Sequence, residues 1–208
     1  ENGAVFAALP ADGVAVFHAD DDYTPLWHGL AGPRRCLTFG VCGDVQCTQA
    51  DWQGGAWQLQ VATPQGSFSC QLAIAGRHNL RNALAATACA LAAGVPLAAI
   101  AQGLAAFAPV KGRSRAFSVQ RSTASGVSAA HANNANANDT ITVVDDSYNA
   151  NPDSVRAAIE VLAELPAPRL LVLGDMGEVG DQGPQFHAEV GAHARALGVE
   201  ALFTFGAQ

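Results

Sequence analysis

An α/β fold is what this 208-residue sequence predicts, and three observations carry that reading. Short apolar runs such as Val14–Phe17 and Ile141–Val144 alternate with longer segments whose apolar residues recur at helical spacing. One stretch in the middle, Trp57–Val61 and Phe68–Ile74, alternates apolar and polar with period two instead. The run at Ile141–Val144 ends abruptly in carboxylates and carboxamides, where open α/β sheets place their ligands.

The elements follow in order. Gly13–Ala19 holds a strand that ends in His18 and the acidic turn Asp20-Asp21-Asp22. Tyr23–Leu30 reads as a helix carrying Trp27, and Arg35–Phe39 as a second strand stopped at Gly40, so the opening is a βαβ unit. From Val45 to Ala75, Gly54-Gly55 and Pro64-Gln65-Gly66 punctuate alternating runs, predicting an antiparallel meander with one wet face. Leu80–Ala93 is a Leu/Ala-rich helix ended by Gly94, and Pro96–Phe107 a second, with Leu97, Ile100, Leu104 and Phe107 on one face. Pro109-Val110-Lys111-Gly112 reads as a hinge, dividing the chain into residues 1–110 and 111–208.

Past the hinge, Ala116–Arg121 is a strand. Ser122–Asp139, rich in Ser, Ala and Asn, cannot bury a core and reads as a mobile loop. Then come strand Thr140–Asp145, helix Pro152–Leu165 with Val155, Ala158, Ile159, Leu162 and Leu165 on one face, and strand Arg169–Leu173. Helix Gln185–Leu197 and strand Ala201–Phe205 complete a β-β-α-β-α-β order, predicting an open, mostly parallel sheet. No internal repeat is present.

Composition narrows the function classes. Half the residues are hydrophobic, enough for real cores, and the formal net charge is -7 with no basic run. That excludes a nucleic-acid binder working through clustered Lys and Arg. The five cysteines (36, 42, 47, 70 and 89) are odd in number and form no C-x-x-C pair, so neither a disulfide framework nor a metal site is expected. No apolar run reaches the roughly 20 residues that span a bilayer. Glu1–Pro10 lacks the basic n-region of a signal peptide, and the start at Glu-Asn-Gly falls mid-pattern without a Met. The expectation is a section of a longer protein.

Four strings are candidates for chemistry. In Asp145-Asp146-Ser147-Tyr148-Asn149-Ala150-Asn151-Pro152, Asn151 and Pro152 suit the N-cap and first turn of the following helix, with Asp153 at its positive end. That leaves Asp145, Asp146 and Asn149, since adjacent carboxylates repel unless solvated or paired with a cation, hydroxyls or Arg. In Arg77-His78-Asn79-Leu80-Arg81-Asn82, Asn79 reads as an N-cap. Asn82 stands one turn on, where a capping box would have Glu or Gln, and its carboxamide suits a purine edge. Gly174-Asp175-Met176-Gly177-Glu178-Val179-Gly180 is a glycine-rich loop with two carboxylates, spaced unlike the dinucleotide fingerprint. Lys111-Gly112-Arg113-Ser114-Arg115 is either a solvated basic linker or, if two domains close on a nucleotide, the source of a bidentate phosphate contact from Arg113. His187 and His193, six apart, do not share a helix face, and no G-x-S-x-G or matched Cys/His pair supports nucleophilic catalysis. No catalytic residue or metal ligand is assigned.

Together these strings, with Asn2-Gly3-Ala4-Val5-Phe6, Ala19-Asp20-Asp21 and Gly76–Ala86, resemble the Mur ligases, the ATP-dependent amide ligases of peptidoglycan synthesis. They span nearly the whole chain. Asp145–Pro152 and Gly174–Gly180 resemble the branch that adds D-Ala-D-Ala to UDP-N-acetylmuramoyl-tripeptide. The resemblance implies the second half of a central ATPase domain (residues 1–110), with a parallel sheet and a small antiparallel meander, followed by the first part of a Rossmann-like domain (residues 111–208). It implies ATP and Mg²⁺, with the Mg²⁺ ligands and the phosphate loop upstream of Glu1, so that these 208 residues alone would be inactive. Carried over by position, Asn79 and Asn82 approach the adenine, Asp146 the ribose, Arg113 the phosphates, and Asn149 and Asn151 the incoming dipeptide. The family's carbamylated Lys falls near Asn2, and the stretch Glu1–Phe6 holds no Lys, a departure from the family pattern. A cytoplasmic monomer, binding neither nucleic acid nor membrane, is implied. A sibling ligase that adds one amino acid, and a non-catalytic nucleotide-binding module, are the alternatives.

Overall fold

The computed structural model describes residues 3–120, 140–177 and 179–207. Asn2, Glu178 and the Ser122–Asp139 segment lie outside them.

The chain opens with a one-turn helix α1 (Ala4–Ala7), absent from the sequence reading. Strand β1 (Val14–His18) then pairs in parallel with β2 (Arg35–Phe39) through the crossover helix α2 (Thr24–Ala31), as the βαβ reading requires. Phe6 of α1 meets Phe17 and Trp27 edge to face at 5.8 and 6.1 Å, closing a small core with Ala15 and Ala31. Aromatic pairs of this geometry add to the burial itself.

Strands β3 (Gln46–Gln53), β4 (Ala56–Thr63) and β5 (Gly66–Leu72) form the expected antiparallel meander. The β3–β4 turn is Gly54-Gly55 with φ of 60° and 83°, the doubly positive pair that a two-residue hairpin of matching twist demands. Period two sorts β4 into Trp57, Leu59 and Val61, all buried, and Gln58 and Gln60 on the other face. The buried face packs with Ala83, Leu84, Ala88 and Leu91 of helix α3 (Arg77–Ala92) and Ile100 of α4 (Leu97–Ala105). Gly94 (φ 78°) ends α3 in a Schellman arrangement: the Val95 amide bonds the Ala90 carbonyl and the Gly94 amide the Leu91 carbonyl, both at 2.9 Å.

The second half runs β6 (Arg115–Gln120), β7 (Thr140–Asp145), α5 (Pro152–Ala163), β8 (Leu170–Gly174), α6 (Gly183–Ala196) and β9 (Ala201–Phe205). The element order is the expected one, but the pairing differs. Strands β6 and β7 pair antiparallel, β8 and β9 in parallel, and the two pairs share no ladder among the described residues. Parallel neighbours need a crossover, usually a helix, and the Ser/Asn-rich sequence between β6 and β7 carries no helical pattern to supply one. Val155 and Ile159 of α5, Leu173, Met176, and Val190 and Ala194 of α6 make the core of this half.

The halves meet where α3 begins. Gly76 has φ 96°, and a Cβ there would lie 2.9 Å from a Val161 methyl of α5, so glycine admits the close approach. Beside it the Arg77 Nε donates to a Glu164 carboxylate oxygen at 2.8 Å, while the guanidinium rests 5.4 Å from the Trp57 ring centre. Both partners are largely exposed, which limits the pair to about 0.2–1 kcal/mol. A double-mutant cycle with Arg77→Ala and Glu164→Ala should return a coupling in that range that fades as salt is added.

Candidate functional site

The four polar strings come together at the junction of the two halves. Helix α3 starts at Arg77, earlier than the sequence reading placed it, because Gly76 at positive φ turns the chain straight into the helix. Asn79 is therefore not the N-cap. It sits inside the first turn, 8% exposed, and its carboxamide is used three ways. Its Nδ2 donates to the Ala75 carbonyl at 2.7 Å and stands 3.0 Å from His78 Nε2. Its Oδ1 accepts from Asn82 Nδ2 at 3.1 Å. Burial, the largest influence, pulls the His78 pKa down; Asp146 and Glu160 oppose it, and Arg81 assists it.

Asn82 is exposed and lines an open cavity of about 560 Å³ with His18, Asp20, Tyr23, Phe39 and Arg81. Asp20 forms one wall by bracing the turn after β2: it accepts the Val41 and Cys42 amides at 2.5 and 3.0 Å. Partial burial works against its charge, but those amides and nearby His18 prevail and hold the carboxyl below its usual range.

The two carboxylates after β7 are held by the segment from Gly112 to Ser114. Asp145 accepts the Gly112 amide at 3.2 Å and the Ser147 hydroxyl at 2.6 Å. That hydroxyl leads the groups that lower its pKa, with the Ser147 and Gly112 amides and Lys111 adding to it against slight burial. Asp146 Oδ1 accepts the Ser114 amide at 2.8 Å and the Ser114 hydroxyl at 3.3 Å. Ser114 is held at φ 47°, uncommon for a non-glycine residue. Between them Arg113 projects, its guanidinium 4.2 Å from the centre of the Tyr148 ring. The adjacent carboxylates are thus partnered by amides and hydroxyls from a segment more than thirty residues away in sequence. Neither Ser114 nor Tyr148 was singled out from sequence; the signal was their place beside Arg113 and Asp146.

Asn151 caps α5 as expected. Its Oδ1 accepts the Ser154 amide at 2.8 Å, and the Ser154 hydroxyl accepts the Asn151 amide at 3.0 Å. The Asn149 Oδ1 accepts the Ala150 amide at 3.0 Å. The glycine-rich loop docks on the same turn through the Gly177 amide, which donates to the Ala150 carbonyl at 3.2 Å. Met176 is buried beneath, its amide donating to His187 Nε2 at 3.0 Å while His187 Nδ1 contacts the Gly183 carbonyl at 2.7 Å. His187 thus holds the loop.

Chemically, the junction offers an oriented carboxamide (Asn82) and an exposed guanidinium held on an aromatic face (Arg113). Among the described residues no three His, Cys, Asp or Glu side chains group as an all-protein metal site would require. Among the same residues no helix is long and apolar enough to cross a membrane.

Comparison with known proteins agrees across both halves. Residues 2–90 match the Mur ligase middle domain, and residues 132–208 match the Mur ligase, glutamate ligase domain. The UDP-N-acetylmuramoyl-tripeptide–D-alanyl-D-alanine ligase of Escherichia coli is 34% identical over 99% of the chain, which covers 42% of that protein. The crystal structure of MurF from Acinetobacter baumannii superposes with a TM-score of 0.81 at 33% identity, over 99% of this chain and 41% of that one. MurF of Thermotoga maritima, solved in complex with ADP, has a TM-score of 0.72 at 22% identity, over 94% of this chain and 40% of that one, and so speaks for the fold. The chain thus spans about two fifths of the length of such relatives.

Proposed function

The chain belongs to the Mur ligase family, and we propose that it is the part of an ATP-dependent ligase that joins D-Ala-D-Ala to UDP-N-acetylmuramoyl-tripeptide. The observation that carries this reading is the 34% identity to the UDP-N-acetylmuramoyl-tripeptide–D-alanyl-D-alanine ligase of Escherichia coli over 99% of the chain. In this reading residues 1–110 complete a central nucleotide-binding domain and residues 111–208 begin the next; the two family matches end at 90 and resume at 132, on either side of that boundary. The exposed apolar side chains of Leu170, Val172, Phe203 and Phe205 on β8 and β9 fit a sheet that further structure covers in the longer protein.

The proposed reaction transfers the γ-phosphoryl group of ATP to the tripeptide carboxylate, giving an acyl phosphate and ADP. The amine of D-Ala-D-Ala attacks the acyl carbon, and phosphate leaves as the amide forms. Positioning and charge neutralisation supply most of the rate in such transfers. Asn82, held by Asn79, faces the adenine. Asp146, with one oxygen engaged by Ser114, keeps the other for the ribose hydroxyls. Arg113 meets the phosphates from across the hinge. Asn149 and Asn151 keep their side-chain N–H groups for the incoming dipeptide, their side-chain oxygens being engaged locally. Magnesium ions would neutralise phosphate charge in this chemistry, with their ligands expected upstream of this chain. The reading assigns the protein to the cytoplasm, where ATP and the nucleotide precursor are found.

The test is phosphate release by the native polypeptide that carries this chain, given ATP and UDP-N-acetylmuramoyl-tripeptide with D-Ala-D-Ala, or D-Glu and diaminopimelate with their own precursors. Release with D-Ala-D-Ala supports the reading. Turnover only with the single amino acids assigns a sibling ligase, and none at all favours a binding module. Within an active enzyme, Asn82→Ala should raise the KM for ATP about tenfold, the worth of one well-placed hydrogen-bonding pair, with little change in the KM for the dipeptide.

A further inference from the structure

Asn82 meets solvent with one carbonyl oxygen and one N–H, and which of the two points where is not free. Asn82 Nδ2 gives one hydrogen to Asn79 Oδ1. Asn79 can accept it only while its own Nδ2 faces the other way, where that nitrogen gives one hydrogen to the Ala75 carbonyl and stands 3.0 Å from His78 Nε2, which takes the other when it is the unprotonated ring nitrogen. His78 Nε2 accepts only when it carries no proton. We propose that His78, as the neutral imidazole with its proton on Nδ1, is a positioning residue that sets the direction of the Asn79–Asn82 carboxamide chain and so makes the site select adenine over guanine. The inference rests on the reading that the nucleotide base docks on Asn82.

The selection follows from donors and acceptors. Adenine offers an N6–H donor beside the N7 acceptor, which matches an outward-facing carbonyl oxygen and N–H on one carboxamide. Guanine offers two acceptors, O6 and N7, and meets the Asn82 oxygen with an oxygen. To receive guanine, Asn82 must turn its nitrogen outward and set its oxygen against Asn79 Oδ1. Asn79 can turn in response only by leaving Ala75 and His78, at a buried position where each unmade bond is costly. A protonated His78 removes that lock, because it presents an N–H to Asn79 and demands an acceptor.

The surroundings keep His78 neutral. It is half-buried, with Arg77 and Arg81 on its own helix, Glu160 on α5 and Asp146 on the turn after β7 as the charged groups about it. Burial lowers its pKa from the ordinary value of 6.5, the two carboxylates opposing and Arg81 assisting. The neutral form, which with its proton on Nδ1 makes the lock, is present above that lowered pKa and is lost as pH falls through it.

The experiment measures dissociation constants of ATP and GTP for the native polypeptide by calorimetry between about pH 5.5 and 7.5, across the histidine range. A discrimination of about ten- to a hundredfold for ATP is expected at the upper end, the range one bidentate base contact supplies, shrinking toward the lower end. His78→Ala should lose about tenfold of that discrimination and its pH dependence. His78→Gln, whose side-chain oxygen can accept the same hydrogen, should restore the discrimination without the pH dependence. A ratio that stays constant with pH while NMR shows the His78 imidazole titrating, or that is unchanged in His78→Ala, overturns the proposal; the first holds even if the variants fail to fold. An Asn82→Ala variant separates the two readings. If it leaves ATP affinity untouched, the base is elsewhere and the docking reading fails. If it weakens ATP while the His78 results are flat, only the role of His78 fails.

Discussion

Gly112→Val should cut ATP-dependent turnover of the native polypeptide by at least a hundredfold. Gly112 is buried under Tyr148 with φ 77°, a region that costs an L-residue about 1–2 kcal/mol and a β-branched one more. A Cβ there would lie 2.9 Å from the Tyr148 amide nitrogen and 3.1 Å from its Cβ. The first of these is backbone, and it is tied to the Gly112 carbonyl by a 3.0 Å hydrogen bond. Either the Lys111–Arg113 segment or the Asp145–Tyr148 turn must move, taking with it the Gly112–Asp145 bond and the stacking of Arg113 on Tyr148. Strain and lost contacts together come to about 3 kcal/mol, or about a hundredfold, if the site keeps its shape at all. Steady-state kinetics check this, with Gly177→Ala as control: a Cβ at Gly177 meets nothing within 4 Å and should leave turnover near that of the parent.

The largest stability effect is expected at Ile159. It is fully buried on α5, among Val155, Leu173, Met176, Val190 and Ala194. Truncation to Ala removes three carbons from a packed interior and leaves a cavity, for a loss of about 3–4 kcal/mol. Ile159→Val should lose only about 1 kcal/mol. Urea unfolding followed in the second half should show the midpoint falling with an unchanged slope, because the surface exposed on unfolding hardly differs. A shift under 1 kcal/mol for Ile159→Ala would mean that α5 is not packed as described. Since this core carries the Asp145–Asn151 turn and the glycine-rich loop, loss of ATP turnover on warming should track the loss of fold.

The strands and helices were legible because each wears its period openly. Trp57, Leu59 and Val61 alternate with glutamines, and Val155 and Ile159 fall on one face of a helix that Asn151 and Pro152 announce. The polar strings were legible as well, since carboxylates and carboxamides at a strand end have few structural uses. Their partners were not. Asn79 was read as a cap because capping rules are local, and nothing local says that Gly76 turns the chain at positive φ three residues earlier. Read locally, Asp145 and Asp146 are repelling charges that need solvent, a cation, hydroxyls or Arg. Their answer, the amides of Gly112 and Ser114, lies 33 and 32 residues away, and register across such a distance is not encoded in either string alone. The Arg77–Glu164 contact, 87 residues apart, is similarly a product of packing. The single open sheet failed for a related reason: element order was right, but pairing depends on which neighbours the chain can reach.

The central claim is that this junction holds the nucleotide. A crystal structure of the native polypeptide with a non-hydrolysable ATP analogue tests it most directly. The account predicts the adenine edge on Asn82, with its exocyclic amine donating to the carboxamide oxygen, and the phosphates within reach of Arg113. A base lodged elsewhere, with Asn82 still facing solvent, would contradict it.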